Sequence, residues 1–498
     1  MGIESLLEEK GHKKRKVTLE DHARGREKAR KLPGFFYLGT DLETGDRIFL
    51  TEEARSHHVH LVGGSGGGKT SFIESMIFHD LERGRGLVFI DGKGDIRTLR
   101  HIYGMLKHLG REKDLRFFSL AHPELSNTYS PLTNGTATQV KDKLIGSILW
   151  SEPYYRKTSE LATQTLMRAV FSTGMRCTFE DLDLLLTKKN SIDLLSKLTS
   201  GIVGRKLEQY KEEFDKNVRD LRGFSTDINL LINSEFGELF DTVNPEIDFI
   251  RAYKNSEVIY LAINKRGLSE TAQRLGRMIL KDLAYASDYF DTQIQPPERK
   301  FFPCYIDEMD AFIYDYFIDF VAQARSSGFA LLLSHHSLSG DLQEYGKGFL
   351  NKLLDNTNMS LFLRQRSNES VEQCSNVSGT RKAASESYQT EQKAALFGSQ
   401  KTLTGFGNIY IENQYHIDPN IIRNLQTGEA YCVVSQPKVR AWVQLNYIPP
   451  IPWEGDFEKI KVSLPELYTR VKLFSDTDRA RASKEKPAAP SSEKTAEK

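Results

Sequence analysis

No run of apolar residues in this 498-residue chain approaches the roughly 18–20 that a helix needs to cross a bilayer. Nor does the chain open on the short apolar stretch of a secretory leader. Cysteine is scarce. Cys177, Cys304, Cys374 and Cys432 lie far apart without a CxxC pair, a pattern that argues for reduced thiols and against a disulfide framework or a zinc site. Charge of one sign is also missing, with 68 Lys+Arg against 67 Asp+Glu, so the bulk protein is no polycation. Contact with nucleic acid must then come from local patches. These absences lead to the expectation of a soluble cytoplasmic protein, long enough for two or three domains and a large core.

What the chain does have is glycine gathered in one place. Residues 57–72 read HHVHLVGGSGGGKTSF, in which Gly63, Gly68, Lys69 and Thr70 complete the pattern GxxxxGK[ST]. Gly64, Ser65, Gly66 and Gly67 fill the variable places, and Ser71 follows. A phosphate chain needs several backbone N–H groups pointing inward, and a loop this rich in glycine folds back tightly enough to supply them. Lys69 would then place its ammonium on the β- and γ-phosphates of ATP, and the Thr70 hydroxyl would hold Mg²⁺. An apolar strand (Val59 to Val62) precedes the glycines and a helical pattern (Phe72, Ile73, Met76, Ile77) follows. That is the strand–loop–helix setting the motif requires, with the helix N-terminus adding its positive end.

Along the chain, residues 1–32 are polar with basic clusters at Lys13–Lys16 and Arg24–Lys31. They read either as a solvated tail or exposed helix, or as an arm for DNA or an anionic membrane surface. Phe35 to Leu50 reads as a β-hairpin. Gly86-Leu87-Val88-Phe89-Ile90-Asp91 is a strand too apolar to have a wet face, ending in Asp91-Gly92-Lys93-Gly94-Asp95. A further strand is expected over Leu115 to Leu120. Fully apolar strands alternating with helices predict an α/β fold with a mostly parallel sheet. From about Thr138 to Asp248 only helical periodicities occur, such as Leu144-Ile148-Leu149, Leu161-Leu166-Val170 and Leu182-Leu185-Leu186. This predicts an all-α insertion with an aliphatic core. Strand Val258 to Ala262 and a long helix from about Glu270 to Phe290 resume the sheet pattern.

Strand 301–306 then ends in Asp307-Glu308. Asp307 would bind Mg²⁺ through water, and Glu308 would orient and deprotonate the attacking water. Phe329 to Leu333 leads into Ser334-His335-His336-Ser337, where His336 is either a solvated loop histidine or a contact that senses the γ-phosphate. Asn358 to Leu363 ends in Arg364-Gln365-Arg366, and Arg364 and Arg366 read either as surface charges or as a finger reaching a neighbouring subunit's phosphate. Residues 378–402 are polar and read as loop or helix. Late strands are expected at Gly407–Ile411 and Ala430–Ser435, and a disordered tail from about Ser475.

Taken together, FFYLGTD…GDRIFL, HVHLVGGSGGGKTS, FIDGKGD, NTYSPL, VIYLAINKRG…RLGRMILKDL, CYIDEMDAF, LLLSHHSLSGDL, NMSLFLRQ…SNVSGT and GEAYCVV form an ordered set. Across roughly Phe35 to Val443 it resembles the coupling ATPases of conjugative and other type IV secretion systems, the TraG/TraD-like group in the FtsK–HerA branch of RecA-like motors. The resemblance implies a RecA-like P-loop motor in two parts (35–137 and 249–474) around an inserted all-α domain (138–248). A basic N-terminal arm (1–34) and a C-terminal tail (475–498) complete the expected organisation. It further implies ATP and Mg²⁺ as cofactors, DNA gripped through its backbone, a relaxase or protein substrate, and a homo-hexamer. Members commonly begin with a membrane-spanning hairpin, which this chain does not show, and commonly carry Gln where His336 stands. The chain is therefore expected at the inner membrane only through a separate membrane-embedded component. The two rival readings are a HerA-like DNA translocase in replication, repair or defence, and an ATP-switched adaptor that recruits cargo without motor activity.

Overall fold

The computed structural model describes residues 14–264, 269–314, 316–342, 345–395, 398–455, 460–462 and 470–483. Residues 1–13 of the basic arm, 265–268 of the INKRG stretch and 484–498 of the tail lie outside that set. The described strands are, in chain order, β1 (Phe35–Asp41), β2 (Arg47–Thr51), β3 (Val59–Val62), β4 (Leu87–Asp91), β5 (Leu115–Ser119) and β6 (Val258–Ala262). They continue with β7 (Phe302–Asp307), β8 (Phe329–His335), β9 (Met359–Phe362), β10 (Thr380–Ala395), β11 (Gly398–Tyr415), β12 (Glu429–Val434) and β13 (Val439–Leu445). The chain divides into two compact units, one of residues 1–76 and 332–449, the other of 77–331 and 450–498. Packing thus cuts the chain elsewhere than at the ends of the helical stretch.

In the first unit the strands run in the order β2-β1-β13-β12-β9-β3-β8. β3 lies parallel to both β8 and β9, with Val62 opposite His335 on one side and Phe362 on the other. All four of its residues are buried, as an inner strand of a parallel sheet requires. The β1–β2 hairpin turns at Asp41, whose carboxylate accepts the N–H groups of Glu43 and Thr44. Before it, helix Leu19–Arg30 starts at a capping box between Thr18 and Asp21. Part of the N-terminal basic charge is used internally: Lys14 pairs with Glu429 at 2.8 Å and sits over the Trp442 ring, and Arg26 donates to Asn446. A core of Leu42, Val62, Leu338, Phe362, Val371 and Trp442 with their neighbours fills one face.

The second unit orders its strands β7-β4-β6-β5. All four are fully buried and pair in parallel, Asp91 on β4 standing opposite Asp307 on β7. Between Ala137 and Asn255 every described regular element is helical, from Ala137–Ile145 through Pro153–Ser172 to Phe249–Asn255. Leu144, Leu166, Val170, Leu182, Leu185 and Leu186 are buried there as their spacing predicts. Leu149 and Leu161 are not: they are 77% and 70% exposed, so the expectation that they belong to the core is corrected.

Two other expectations change. Residues 380–395 and 398–415, read as loop or helix and one late strand, form the long antiparallel ribbon β10–β11, which pairs with no other strand among the described residues. Residues 476–483, placed by composition in a disordered tail, form a helix. The buried Arg479 anchors it with ion pairs to Asp181 at 2.8 Å and Asp241 at 3.0 Å, and a further contact to Glu180. No helix among the described residues is long and apolar enough to cross a membrane.

Candidate active site

The phosphate loop leaves β3 at Gly63 and enters helix Lys69–Glu82. Its stem is pinned by backbone: the Gly63 N–H donates to the His335 carbonyl at 3.2 Å and the Gly64 N–H to the Arg364 carbonyl at 3.1 Å. Gly67 closes the loop on Gly64, and its own carbonyl accepts the Gly428 N–H at 2.8 Å. Two glycines are required by geometry. A Cβ on Gly63 would lie 2.6 Å from Leu363 Cβ, and Gly68 has φ +104 with the Gly428 backbone nitrogen 2.9 Å from where a Cβ would stand. Lys69 is only 4% exposed, and its ammonium donates to the Gly63 carbonyl and to His336 Nδ1 at 3.1 Å. The structure therefore brings together Gly63, Gly64, Lys69 and His336, with the backbone of Arg364. Gln365, missed in the sequence, is buried and donates from Nε2 to the His336 carbonyl at 3.0 Å.

Arg364 is half-buried and Arg366 exposed. Neither guanidinium makes an ion pair among the described residues.

In the second unit, β4 and β7 deliver three carboxylates to one place. Asp91 and Asp307 end their strands in register, and Glu308 follows with φ +55, a left-handed conformation unusual for a side chain of its size. Asp307 and Glu308 are fully buried, and the Glu308 N–H donates to Asp307 Oδ1 at 3.1 Å. Asp91 accepts from the Tyr260 hydroxyl at 2.9 Å and from the Lys93 N–H at 2.8 Å. Burial first, then the Asp307 charge, pushes the Asp91 carboxyl up to about 6. Lys93 supplies the local cation: its Nζ lies 3.5 Å from Asp307 Oδ2 and 3.6 Å from Glu308 Oε1. Sequence reasoning gave Lys93 no role, although its signal was present. It stands two residues beyond an apolar strand's C-terminal end, where α/β sheets place ligand-binding groups.

The donors suit a hard cation. Asp307 is a buried carboxylate and Thr70 a hydroxyl at a helix start, both oxygen ligands of the kind Mg²⁺ takes.

Comparison with known proteins gives a consistent picture. A family profile described as "TraM recognition site of TraD and TraG" matches residues 302–408. The Type 4 coupling protein DotL of Legionella pneumophila is 23% identical over 487 residues, covering 84% of this chain. This chain spans about three fifths (61%) of that relative's length. Among solved structures, the bacterial conjugative coupling protein TrwBdeltaN70, unbound monoclinic form, is similar with a TM-score of 0.59 at 13% identity, over 90% of this chain and 95% of that one. Plasmid coupling protein TrwB in complex with ADP and Mg²⁺ is similar with a TM-score of 0.54, at 13% identity over 91% and 96%.

Proposed function

Since the chain is related to the type IV coupling proteins, the TraG/TraD, TrwB and DotL group, we propose that it is an ATP-hydrolysing, DNA-binding motor that feeds substrate to a type IV secretion channel. The observation that carries the enzymatic part is the phosphate loop: a glycine cradle with the Lys69 ammonium held across it by the Gly63 carbonyl and His336. A TrwB structure with bound ADP and Mg²⁺ supports the same nucleotide chemistry here.

In this reading the N–H groups of residues 65, 66 and 68–71 take the phosphates, those of Gly63, Gly64 and Gly67 being used to brace the loop, and Lys69 neutralises the charge that spreads over the transferred phosphoryl group. Thr70 and Asp307 hold Mg²⁺, which when bound offsets phosphate charge and fixes its orientation. Glu308 orients the attacking water and accepts its proton. The left-handed backbone at Glu308 is a local cost of about 1–3 kcal/mol of the kind found where a side chain must point one way. His336 touches the γ-phosphate, and Arg364 or Arg366 acts on the site of a neighbouring subunit in a homo-hexamer. DNA is bound through its backbone. The helical stretch recruits the relaxase or protein substrate, and a separate membrane-embedded component receives the protein at the inner membrane.

The test is nucleotide binding and DNA-stimulated hydrolysis by the full chain. Lys69→Ala should abolish binding. Glu308→Gln should retain binding and slow turnover by about 10²-fold or more, the scale of a lost general base. Normal hydrolysis by Glu308→Gln would refute the catalytic assignment, and a wild-type rate indifferent to DNA would refute the motor.

A further inference from the structure

Strands β3 and β8 each contribute one fully buried imidazole, His60 and His335, that the chemistry above does not use. Their Nε2 atoms lie 2.7 Å apart and the rings stack with centroids 5.0 Å apart. At that separation one N–H must lie between the two nitrogens, because two bare lone pairs would repel. Asp341 sets its direction. Its Oδ2 lies 3.3 Å from His335 Nδ1, so His335 carries its proton on Nδ1 and accepts on Nε2. His60 then donates from Nε2 and is left with a bare Nδ1, and that buried nitrogen indeed has no hydrogen-bond partner.

The same Asp341 oxygen accepts the N–H groups of His336 at 2.7 Å and Ser337 at 2.6 Å, which closes the turn 336–341. Leu338, 1% exposed, fastens that turn into the core beside Val62. The turn presents His336 to Lys69, Lys69 donates to the Gly63 carbonyl, and Gly63 lies three residues beyond His60 on one continuous segment. The contacts therefore form a closed circuit: His60, His335, Asp341, the turn with His336, Lys69, Gly63, and back along β3.

We propose that His60, His335 and Asp341 are positioning residues: a buried relay that holds His336 on the Lys69 ammonium and so makes retention of a nucleoside triphosphate, rather than of a diphosphate, depend on the strand beneath the loop. The proposal rests on the ATPase reading above. A γ-phosphate engages Lys69 and His336 together, so any slack in the turn is felt by the triphosphate. A diphosphate, held by loop N–H groups and Lys69 alone, does not register it. Exchanging His335 for an apolar side chain removes the donor to Asp341 and loosens the turn without changing a residue of the phosphate loop.

The experiment uses the full chain and the double variant His60→Leu/His335→Leu, whose shorter apolar side chains do not have to meet at 2.7 Å and leave neither imidazole without its partner. Calorimetric titration with ADP and with a non-hydrolysable ATP analogue should show about tenfold weaker binding of the analogue and ADP affinity unchanged within about twofold. Equal weakening of both nucleotides would reduce these residues to structural support and overturn the proposal, as would no change in either. Should the double variant not fold, Asp341→Ala carries the same comparison, since it removes the one oxygen that accepts from His335 Nδ1 and from the N–H groups of His336 and Ser337. Nitrogen NMR of ¹⁵N-histidine-labelled wild type is the independent arm. Protons on His335 Nδ1 and His60 Nε2 support the relay, and the reverse tautomers overturn it. Wild-type protein that binds neither nucleotide refutes the ATPase reading instead, and the tautomers then decide the relay alone.

Discussion

Replacing Lys93 with Met should weaken the nucleotide-free protein and make it lean harder on Mg²⁺. Lys93 Nζ stands 3.5 Å from Asp307 and 3.6 Å from Glu308, two carboxylates with no solvent exposure, while its own side chain is 30% exposed. At an effective dielectric of about 20, one such contact has a Coulomb energy of roughly 4–5 kcal/mol, an upper limit before desolvation and screening are counted. Breaking a buried pair by removing one partner costs about 3–5 kcal/mol, and the partial exposure of Lys93 brings the expected loss to roughly 2–3 kcal/mol. Met keeps most of the methylene stem, so the loss is one of charge and not of packing. For a unit of about 300 residues that is a fall of about 3–5 °C in the first calorimetric transition in EDTA. Mg²⁺ with ADP should restore more of the melting temperature to the variant than it adds to wild type, because the metal replaces the missing cation. Melting within a degree of wild type in EDTA would refute this account, as would equal stabilisation of both proteins by Mg²⁺-ADP.

Three further outcomes are expected. Mixing wild-type subunits with an Arg364→Ala/Arg366→Ala variant should depress ATPase more than in proportion, and strictly proportional loss in the mixing curve would remove the shared site. His22 is buried beside Tyr37, and burial followed by the Arg26 charge lowers its imidazole to about 4, against 6.5 when unfolded. The fold therefore holds His22 neutral: this stabilisation is complete above pH 6.5 and drains away as pH falls towards 4, by at most about 3 kcal/mol. His22→Gln should flatten that part of the melting-temperature profile, and an unchanged slope would exclude His22 as its source. Arg479→Met leaves the fully buried Asp181 without its cation, a local cost of about 3–5 kcal/mol, while Asp241 keeps Lys472 at 3.1 Å. Limited proteolysis should then cut near 476–483 while nucleotide affinity is unchanged, and cleavage at the wild-type rate would show the helix is held otherwise.

What could be read from the sequence was whatever local chemistry dictates. The glycines from Gly63 to Gly68 permit one kind of loop, and an apolar strand ending in Asp307-Glu308 tolerates few placements for two carboxylates. The β1–β2 hairpin announced itself through the turn chemistry at Asp41. Other features depended on partners far along the chain. His60 and His335 are unremarkable until the parallel register of β3 with β8 puts them on one face, 275 residues apart in sequence. Residues 380–395 are too polar to write a period-2 apolar pattern, so the pairing of β10 with β11, which joins no other strand among the described residues, could not be read from them. Leu161 satisfies a helical period on helix Pro153–Ser172 yet faces solvent, because spacing reports which residues share a face and not whether that face is covered, while Leu149 lies past the end of helix Ala137–Ile145. The helix at 476–483 is tied down by one buried arginine and not by an apolar stripe, which composition cannot reveal.

The split of the first unit across the chain carries a consequence for biosynthesis. β3 must wait for β8 and β9, its parallel neighbours, which are translated about 270 and 300 residues later. At roughly 5–20 residues per second that delay is on the order of 15–60 s, during which the strand that ends in the phosphate loop has left the ribosome without its partners. Most of the second unit, residues 77–331, is one uninterrupted segment synthesised within that interval. The nascent chain thus makes most of a helix-rich body before the phosphate loop gains its neighbouring strands, so that ribosome-bound chains truncated before residue 359 should be unable to retain ATP. Such an order leaves the VHLV strand, buried at all four residues in the finished fold, without its covering neighbours for that whole interval.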